Sequence, residues 1–239
     1  MSIFFNKQLL KSNKEVIFLE DEAKHIIKVL RKKLGDEIFV TNGQGLKWNG
    51  LISSIGTKQV KVKKIKATIS PVPKNNIHVA ISLIKNRSRM EWFIEKATEI
   101  GVNEITPIIC FNTESKNFNF NRSQKIMISA MKQSKRLFLP KLNPITTVKD
   151  FLSSQGNDIY ISHCHEYEKK LITQLESINR NVKVMIGPEG DFSVDEINLS
   201  INNGAIPISL GPNRLRTETA GILAINNFII QKYILYGDY

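Results

Sequence analysis

Two segments near the C-terminal end combine residue types that could hold a ligand. GPEGDFS (187–193) and LGPNRLRTETA (210–220) each follow an apolar run and lead into a helical pattern. Gly187 and Gly190 let the backbone approach a ligand closely, and Pro188 stiffens the turn. The second segment repeats the plan with Gly211-Pro212, then two arginines, then a helix start at Thr217–Thr219. Ligands of open α/β sheets sit at the carboxyl ends of strands. Two such loops from adjacent strands would clasp one ligand with backbone N–H and C=O groups. Either loop alone reads as an ordinary strand–helix turn, since glycine and proline are common there. Two glycine–proline loops followed by R-x-R-T-E-T are more specific.

Other chemistries leave no such trace. The phosphate-loop pattern G-x-x-x-x-G-K-[ST] is absent, as is G-x-G-x-x-G after a strand, which argues against a P-loop NTPase or a dinucleotide enzyme. No G-x-S-x-G elbow marks a serine hydrolase. His163-Cys164-His165 looks like half a metal site, but no second half has ligand spacing, so it reads as a polar strand end and no metal is expected.

The elements that must position the two loops follow from periodicity. EVIFL (15–19), EIFVT (37–41), LKWNGLISSI (46–55) and QVKVKKIKATI (59–69) are strands, with NGQG at 42–45 a hairpin signal. One helix interrupts them, with Asp21 as its cap and Gly35 as its stop. TISPVPKNN marks a linker. A small β domain at 1–70, a linker at 71–76 and an α/β domain at 77–239 are therefore expected. In the last, the strands are 77–84, 105–110, 158–162, 183–187 and 206–211. Ser88 and Glu91 form one expected capping box, on a helix ended by Gly101; Ser193 and Glu196 form another. A helix spans 123–136. The helix at 220–237 is apolar on most of its circumference, so it is buried or sits at a subunit interface.

Charge suggests the partner. Residues 1–70 hold 14 Lys and Arg against 6 Asp and Glu, whereas residues 71–239 hold 20 against 16. Concentrated basic charge favours a polyanion, RNA or DNA, and Lys24, Lys28, Arg31, Lys32 and Lys33 would form its surface. No apolar run approaches a membrane span, no leader is recognisable, and two cysteines make no disulfide framework. A cytoplasmic location without membrane association is expected.

At these motifs the chain resembles the 16S ribosomal RNA uracil-N3 methyltransferases, the small-subunit methyltransferase E family of the SPOUT superfamily. The family pattern G-P-E-G-G-F matches Gly187, Pro188, Glu189, Gly190 and Phe192. L-G-x-R-I-L-R-x-E-T-A matches Leu210, Gly211, Arg214, Leu215, Arg216, Glu218, Thr219 and Ala220. Further matches run from His25 to Glu37, from Lys85 to Gly101, and over Gln133, Ser134 and Arg136. The family's second glycine is Asp191 here. That carboxylate would either bond to the cofactor or cap the following helix.

The resemblance implies a PUA-like β-barrel for RNA, then a SPOUT α/β domain with a deep trefoil knot, in a homodimer. It implies S-adenosylmethionine as methyl donor and a uridine of 16S rRNA in the small ribosomal subunit as acceptor. The cofactor would lie against Ile186, Gly187, Pro188, Glu189 and Gly190, and against Leu210, Gly211, Asn213, Leu215, Arg216 and Thr219. Leu83 and Ile84 would form a third wall. Arg214 would stabilise the deprotonated uracil or a flanking phosphate. Glu218 would accept the proton or cap its helix, the cap being favoured. Arg216 and Arg136 would hold phosphates. Ribose 2′-O methylation, or a non-catalytic RNA-binding assembly factor, are the alternatives.

Overall fold

The structure, a computed structural model, describes residues 3–153 and 158–237. It divides into two compact units. The first holds the residues up to Val72 together with Met131–Leu139, and the second holds Pro73–Ala130 and the chain from Pro140 onward. The inclusion of 131–139 in the first unit had no compositional signal in the sequence.

The first unit contains β1 (Ile3–Phe5), β2 (Glu15–Leu19), a short helix α1 (Glu20–Lys24) running into a π turn at His25–Val29, then β3 (Glu37–Thr41), β4 (Leu46–Ile55) and β5 (Gln59–Ile69). The strands pair in the order β1-β3-β4-β5-β2. Alternation explains the faces. Val60 and Val62 turn inward onto Trp48, Ile38 and Val40, and the half-buried Lys61 between them lies on the opposite face. Ile65, the next apolar residue of the strand, is exposed. It falls where the β4–β5 register slips between Asn49 and Gly50, so it faces no partner residue. The sheet curls strongly, since Phe4 on one edge strand and Phe18 on the other lie with ring centroids 5.0 Å apart.

The expected helix here is shorter than its apolar pattern. Asp21 is not its cap: the N-cap position is Leu19, with no side-chain bond. Helical structure ends at Val29, not at Gly35. Arg31 takes φ +52°, and the Lys32 amide donates back to the Ile26 carbonyl at 3.1 Å, a C-terminal closure that leaves Lys32 and Lys33 in the turn before β3.

The second unit is an α/β sandwich. Its elements are β6 (Asn76–Ser82), α2 (Arg87–Ile100), β7 (Glu104–Ile109), α3 (Phe120–Gln133, whose last residues belong to the first unit), β8 (Lys141–Leu142), β9 (Thr146–Thr147), α4 (Val148–Leu152), β10 (Asp158–Ser162), β11 (Lys170–Leu171), β12 (Asn181–Ile186), α5 (Val194–Asn202), β13 (Ile206–Ser209) and α6 (Thr217–Tyr236). All strands pair in parallel, in the order β11-β13-β10-β12-β6-β7-β8, with β9 also on β7. One face packs Met185, Ala80 and Ile108 against Phe151, Phe192 and Ile197. The other carries α2 and α6, which meet closely at Gly221, where a Cβ would fall 2.6 Å from the Phe93 ring.

Two helix starts differ from expectation. α2 is capped by Asn86, whose Oδ1 accepts from the Ser88 amide at 2.9 Å, so Ser88 and Glu91 form no box; Glu91 pairs with Arg122 instead. α3 begins and ends three residues earlier than the expected 123–136, because the chain after Gln133 leaves the helix to pair Phe138 with Gln44 in the first unit. The Ser193–Glu196 box is present, with the Glu196 amide 3.2 Å from Ser193 Oγ and the Ser193 amide 2.9 Å from Glu196 Oε2.

Candidate active site

The carboxyl ends of β10, β12 and β13, three neighbouring strands, open into one cavity of about 570 Å3. That is within the range of clefts that take small molecules and cofactors, about 300–1,000 Å3. Three loops wall it.

The loop after β12 is a tight turn in which the Asp191 amide donates to the Pro188 carbonyl at 2.9 Å. Gly187 is required by packing, because a Cβ there would lie 2.9 Å from the fully buried Phe192 ring. Gly190 is closely packed too: a Cβ there would lie 3.0 Å from Asn112 Cβ, and Asn112 Nδ2 donates to the Gly190 and Asp191 carbonyls at 3.1 and 3.0 Å. The loop after β13 lies against it. Thr217 Oγ1 donates to the Gly187 carbonyl at 3.1 Å, and Arg214 Nη2 donates to the Glu189 carbonyl at 3.2 Å. The two glycine–proline loops are thus tied to each other.

The third wall is the end of β10 and the loop beyond it: Ser162, His163, Cys164 and Lys169. Leu83 and Ile84, the residues expected there, are buried at the end of β6 and do not line this cavity; Ile84 borders a separate recess. The rule that ligands meet strand carboxyl ends, applied to DIYIS, would have pointed to the HCH segment. Asp191 joins this wall to the rest. It holds φ +65°, a region that suits the family's glycine, and its Oδ2 accepts from the Cys164 amide at 2.6 Å while Oδ1 accepts from the Phe192 amide at 2.8 Å. It does not cap α5, a position taken by Ser193.

His163 is buried, and neither ring nitrogen has a hydrogen-bond partner among the described residues. Burial first, and then the Lys169 ammonium, push its pKa down to about 4, so the ring is neutral at pH 7. Tyr167 stacks edge-on at 5.1 Å. Lys169, Arg214 and Arg216 bring positive charge to the cavity, and Glu189 and Asp191 bring negative charge.

Of the residues expected to bind a cofactor, Ile186, Gly187, Pro188, Glu189, Leu210, Gly211, Asn213, Leu215 and Arg216 line the cavity, as does Arg214. Gly190 and Thr219 do not line it. Glu218 lies behind the wall in the first turn of α6, buried, with Oε1 3.7 Å from Arg89 Nε; its helix has no side-chain cap. Lys24, Lys28, Arg31 and Lys33 are exposed and Lys32 is half-buried on the first unit, which Arg136 also joins.

The sequence pattern of the RNA methyltransferase domain family matches residues 71–229, and that of the RNA methyltransferase PUA domain matches residues 18–65. A ribosomal RNA small subunit methyltransferase E of Rickettsia conorii is 30% identical, over 93% of this chain and 92% of that protein. A structure described as a probable rRNA-methyltransferase from Porphyromonas gingivalis is 30% identical, with a TM-score of 0.90 over 98% of this chain and 100% of that one. A structure described as a putative methyltransferase of Legionella pneumophila, with the cofactor SAM bound, is 27% identical, with a TM-score of 0.84 over 97% of each chain. With its paired glycine–proline loops at the ends of β12 and β13, the chain belongs to the ribosomal RNA small subunit methyltransferase E family.

Proposed function

We propose that this chain methylates N3 of a uridine in the 16S rRNA of the small ribosomal subunit, with S-adenosylmethionine as donor. The observation that carries this reading is the cavity walled by two mutually hydrogen-bonded glycine–proline loops. The residues fit the cofactor. Backbone groups of 186–189 and 210–213 can meet an adenosine, the charges of both signs suit an amino-acid tail and a sulfonium, and the His163 ring nitrogens lack a partner among the described residues. When bound, S-adenosylmethionine supplies an electrophilic methyl group.

The protein's own work is positioning and charge. N3 lies on the pairing edge of uracil and carries a proton, so the base must be unpaired and the proton must leave. Arg214, exposed at the cavity mouth and steadied by the Glu189 carbonyl, stabilises the resulting anion or a flanking phosphate. Arg216 faces the same space. The Arg89 pairing of Glu218 favours a structural role in joining α2 to α6. Arg31, Lys32, Lys33 and Arg136 hold RNA phosphates through the first unit. The meeting of Phe4 and Phe18 supports a PUA-like barrel there. The insertion of β12 between β10 and β6, with the chain after β13 returning to Gly187 through Thr217, supports a trefoil-knotted path. Exposed Ile230 and Ile234 on α6 support a homodimer.

Calorimetry with S-adenosylmethionine, followed by nucleoside mass analysis of small subunits taken from a strain lacking the activity, tests the reading. It expects binding and N3-methyluridine. A ribose-methylated product would make the enzyme a 2′-O methyltransferase, and no cofactor binding would leave only an RNA-binding factor. Arg214→Ala should slow single-turnover methylation at saturating cofactor by about 100-fold or more, as for other charge-stabilising groups; an unchanged rate removes Arg214 from the mechanism.

A further inference from the structure

The same sheet edge carries a second recess that the cofactor does not need. It lies in the second unit at the carboxyl ends of β6 and β7, beside β12, and encloses about 260 Å3 between the start of α2 and the β7–α3 loop. Its volume falls just below the range for cofactor-sized ligands, which suits a single base. A shallower recess of about 420 Å3 shares Arg87, Asn117, Phe118 and Asn119 with it, so the two make one groove.

The lining has the chemistry of a single-stranded nucleic-acid subsite. Phe118 offers a half-buried aromatic face, and Phe111 on the same loop is 81% exposed. Base–aromatic stacking tolerates any base and is the usual platform for unpaired strands. Arg87 is exposed and makes no ion pair among the described residues, whereas Lys85 is paired with Glu114 at 2.6 Å and Glu91 with Arg122. Arg87 also acts electrostatically on Glu91, but its exposed guanidinium lines the same recess as the Phe118 ring, an arrangement that suits a phosphate next to a stacked base. Asn117, Asn119 and Ser123 add donors and acceptors for base edges. The loop is also held against the methyl-transfer site. The Phe111 amide donates to Glu196 Oε1 at 2.8 Å, and Asn112 bonds the Gly190 carbonyl.

We infer that Phe118 and Arg87 form a nucleotide subsite for the unpaired RNA strand that presents the target base. The inference rests on the proposed RNA methylation. It differs from the basic first unit in reading a stacked base as well as phosphate.

The test measures affinity of the full-length protein for fluorescently labelled 16S rRNA across a salt series, by anisotropy. Phe118→Ala should weaken binding about fivefold or more with an unchanged salt slope. Phe118→Tyr should restore it, and Phe118→Leu, which keeps apolar bulk, should not. Arg87→Ala should weaken binding and flatten the log–log salt slope by about one. S-adenosylmethionine affinity should stay within twofold of the parent in every variant. RNA affinity equal to the parent in Phe118→Ala and Arg87→Ala overturns the subsite, and so does a parallel loss of cofactor affinity. Methylation by the unaltered protein is scored separately. Its absence, with RNA binding still lost in Phe118→Ala, would sink the proposed reaction and leave the subsite standing.

Discussion

A single aspartate shows how a departure from a family pattern can be absorbed. An L-residue at φ +65° is strained by about 1–2 kcal/mol, less for aspartate, whose side chain bonds locally. A charged hydrogen bond is worth about 1.5–3 kcal/mol, and Asp191 makes two to backbone amides. The bonds outweigh the strain, and they tie the Cys164 wall to the turn at 187–191. Asp191→Gly should therefore weaken S-adenosylmethionine binding about tenfold while lowering Tm little, since relief of strain offsets part of the loss. Asp191→Asn keeps an acceptor and should fall between. Calorimetry showing parental affinity in both variants would reduce Asp191 to a bystander. The sequence marked this position as the departure; the partner it bonds lies 27 residues away in the chain, which no local pattern can reveal.

At the scale of elements, the Glu196 carboxylate does two jobs. It completes the box at the start of α5 and also accepts from the Phe111 amide in the loop after β7. Ser193→Ala removes only the cap and should cost about 1 kcal/mol. Glu196→Ala leaves two amides without their acceptor and should cost more, about 2–3 kcal/mol, as urea unfolding would register. Equal costs would mean that the link to Phe111 carries no energy. The Ser193 box was legible because both partners lie within four residues. The false box at Ser88 and Glu91 used the same spacing, but Asn86 begins the helix earlier, and Arg122 from α3 claims the glutamate. Spacing alone does not record which competing partner is nearer in space.

Two whole-molecule properties follow from burial. His78 and His163 both have pKa values lowered to about 4, in each case chiefly by burial. The unfolded chain takes up these protons near pH 6.5, and the folded chain only near pH 4. The stability contributed is fully present above pH 6.5, falls as pH drops through that window, and is gone below about pH 4. Each histidine contributes on the order of 1 kcal/mol per pH unit across the window. Thermal melts at pH 7, 5.5 and 4 should show a falling Tm, with part of the fall absent in His163→Asn. A Tm that is flat from pH 6.5 to 4 would contradict the burial argument. On α6, Gly221, Ala224 and Phe228 are buried within the unit, while Ile230 and Ile234 face outward at 46% and 66% exposure. If the proposed homodimer forms through this face, Ile234→Asp should give a monomer where the parent is a dimer in light scattering, while S-adenosylmethionine still binds; a monomeric parent would remove the homodimer proposal. A dimer that survives this change uses another surface.

Short runs bounded by turn residues, alternating in 59–69, defined four strands of the first unit to the residue, and near-continuous apolar runs marked the buried parallel strands of the second, because burial on one face or two leaves a direct imprint on residue order. The two glycine–proline loops were equally plain, since backbone geometry there admits few residue types. The tertiary structure alone decided that 131–139 belongs with the first unit, that the third wall of the cavity is Ser162–Cys164 and not Leu83 and Ile84, and that Glu218 turns to Arg89. Each of these depends on strand order and on pairs distant in sequence. Residue spacing carries that information only after the sheet has chosen its neighbours.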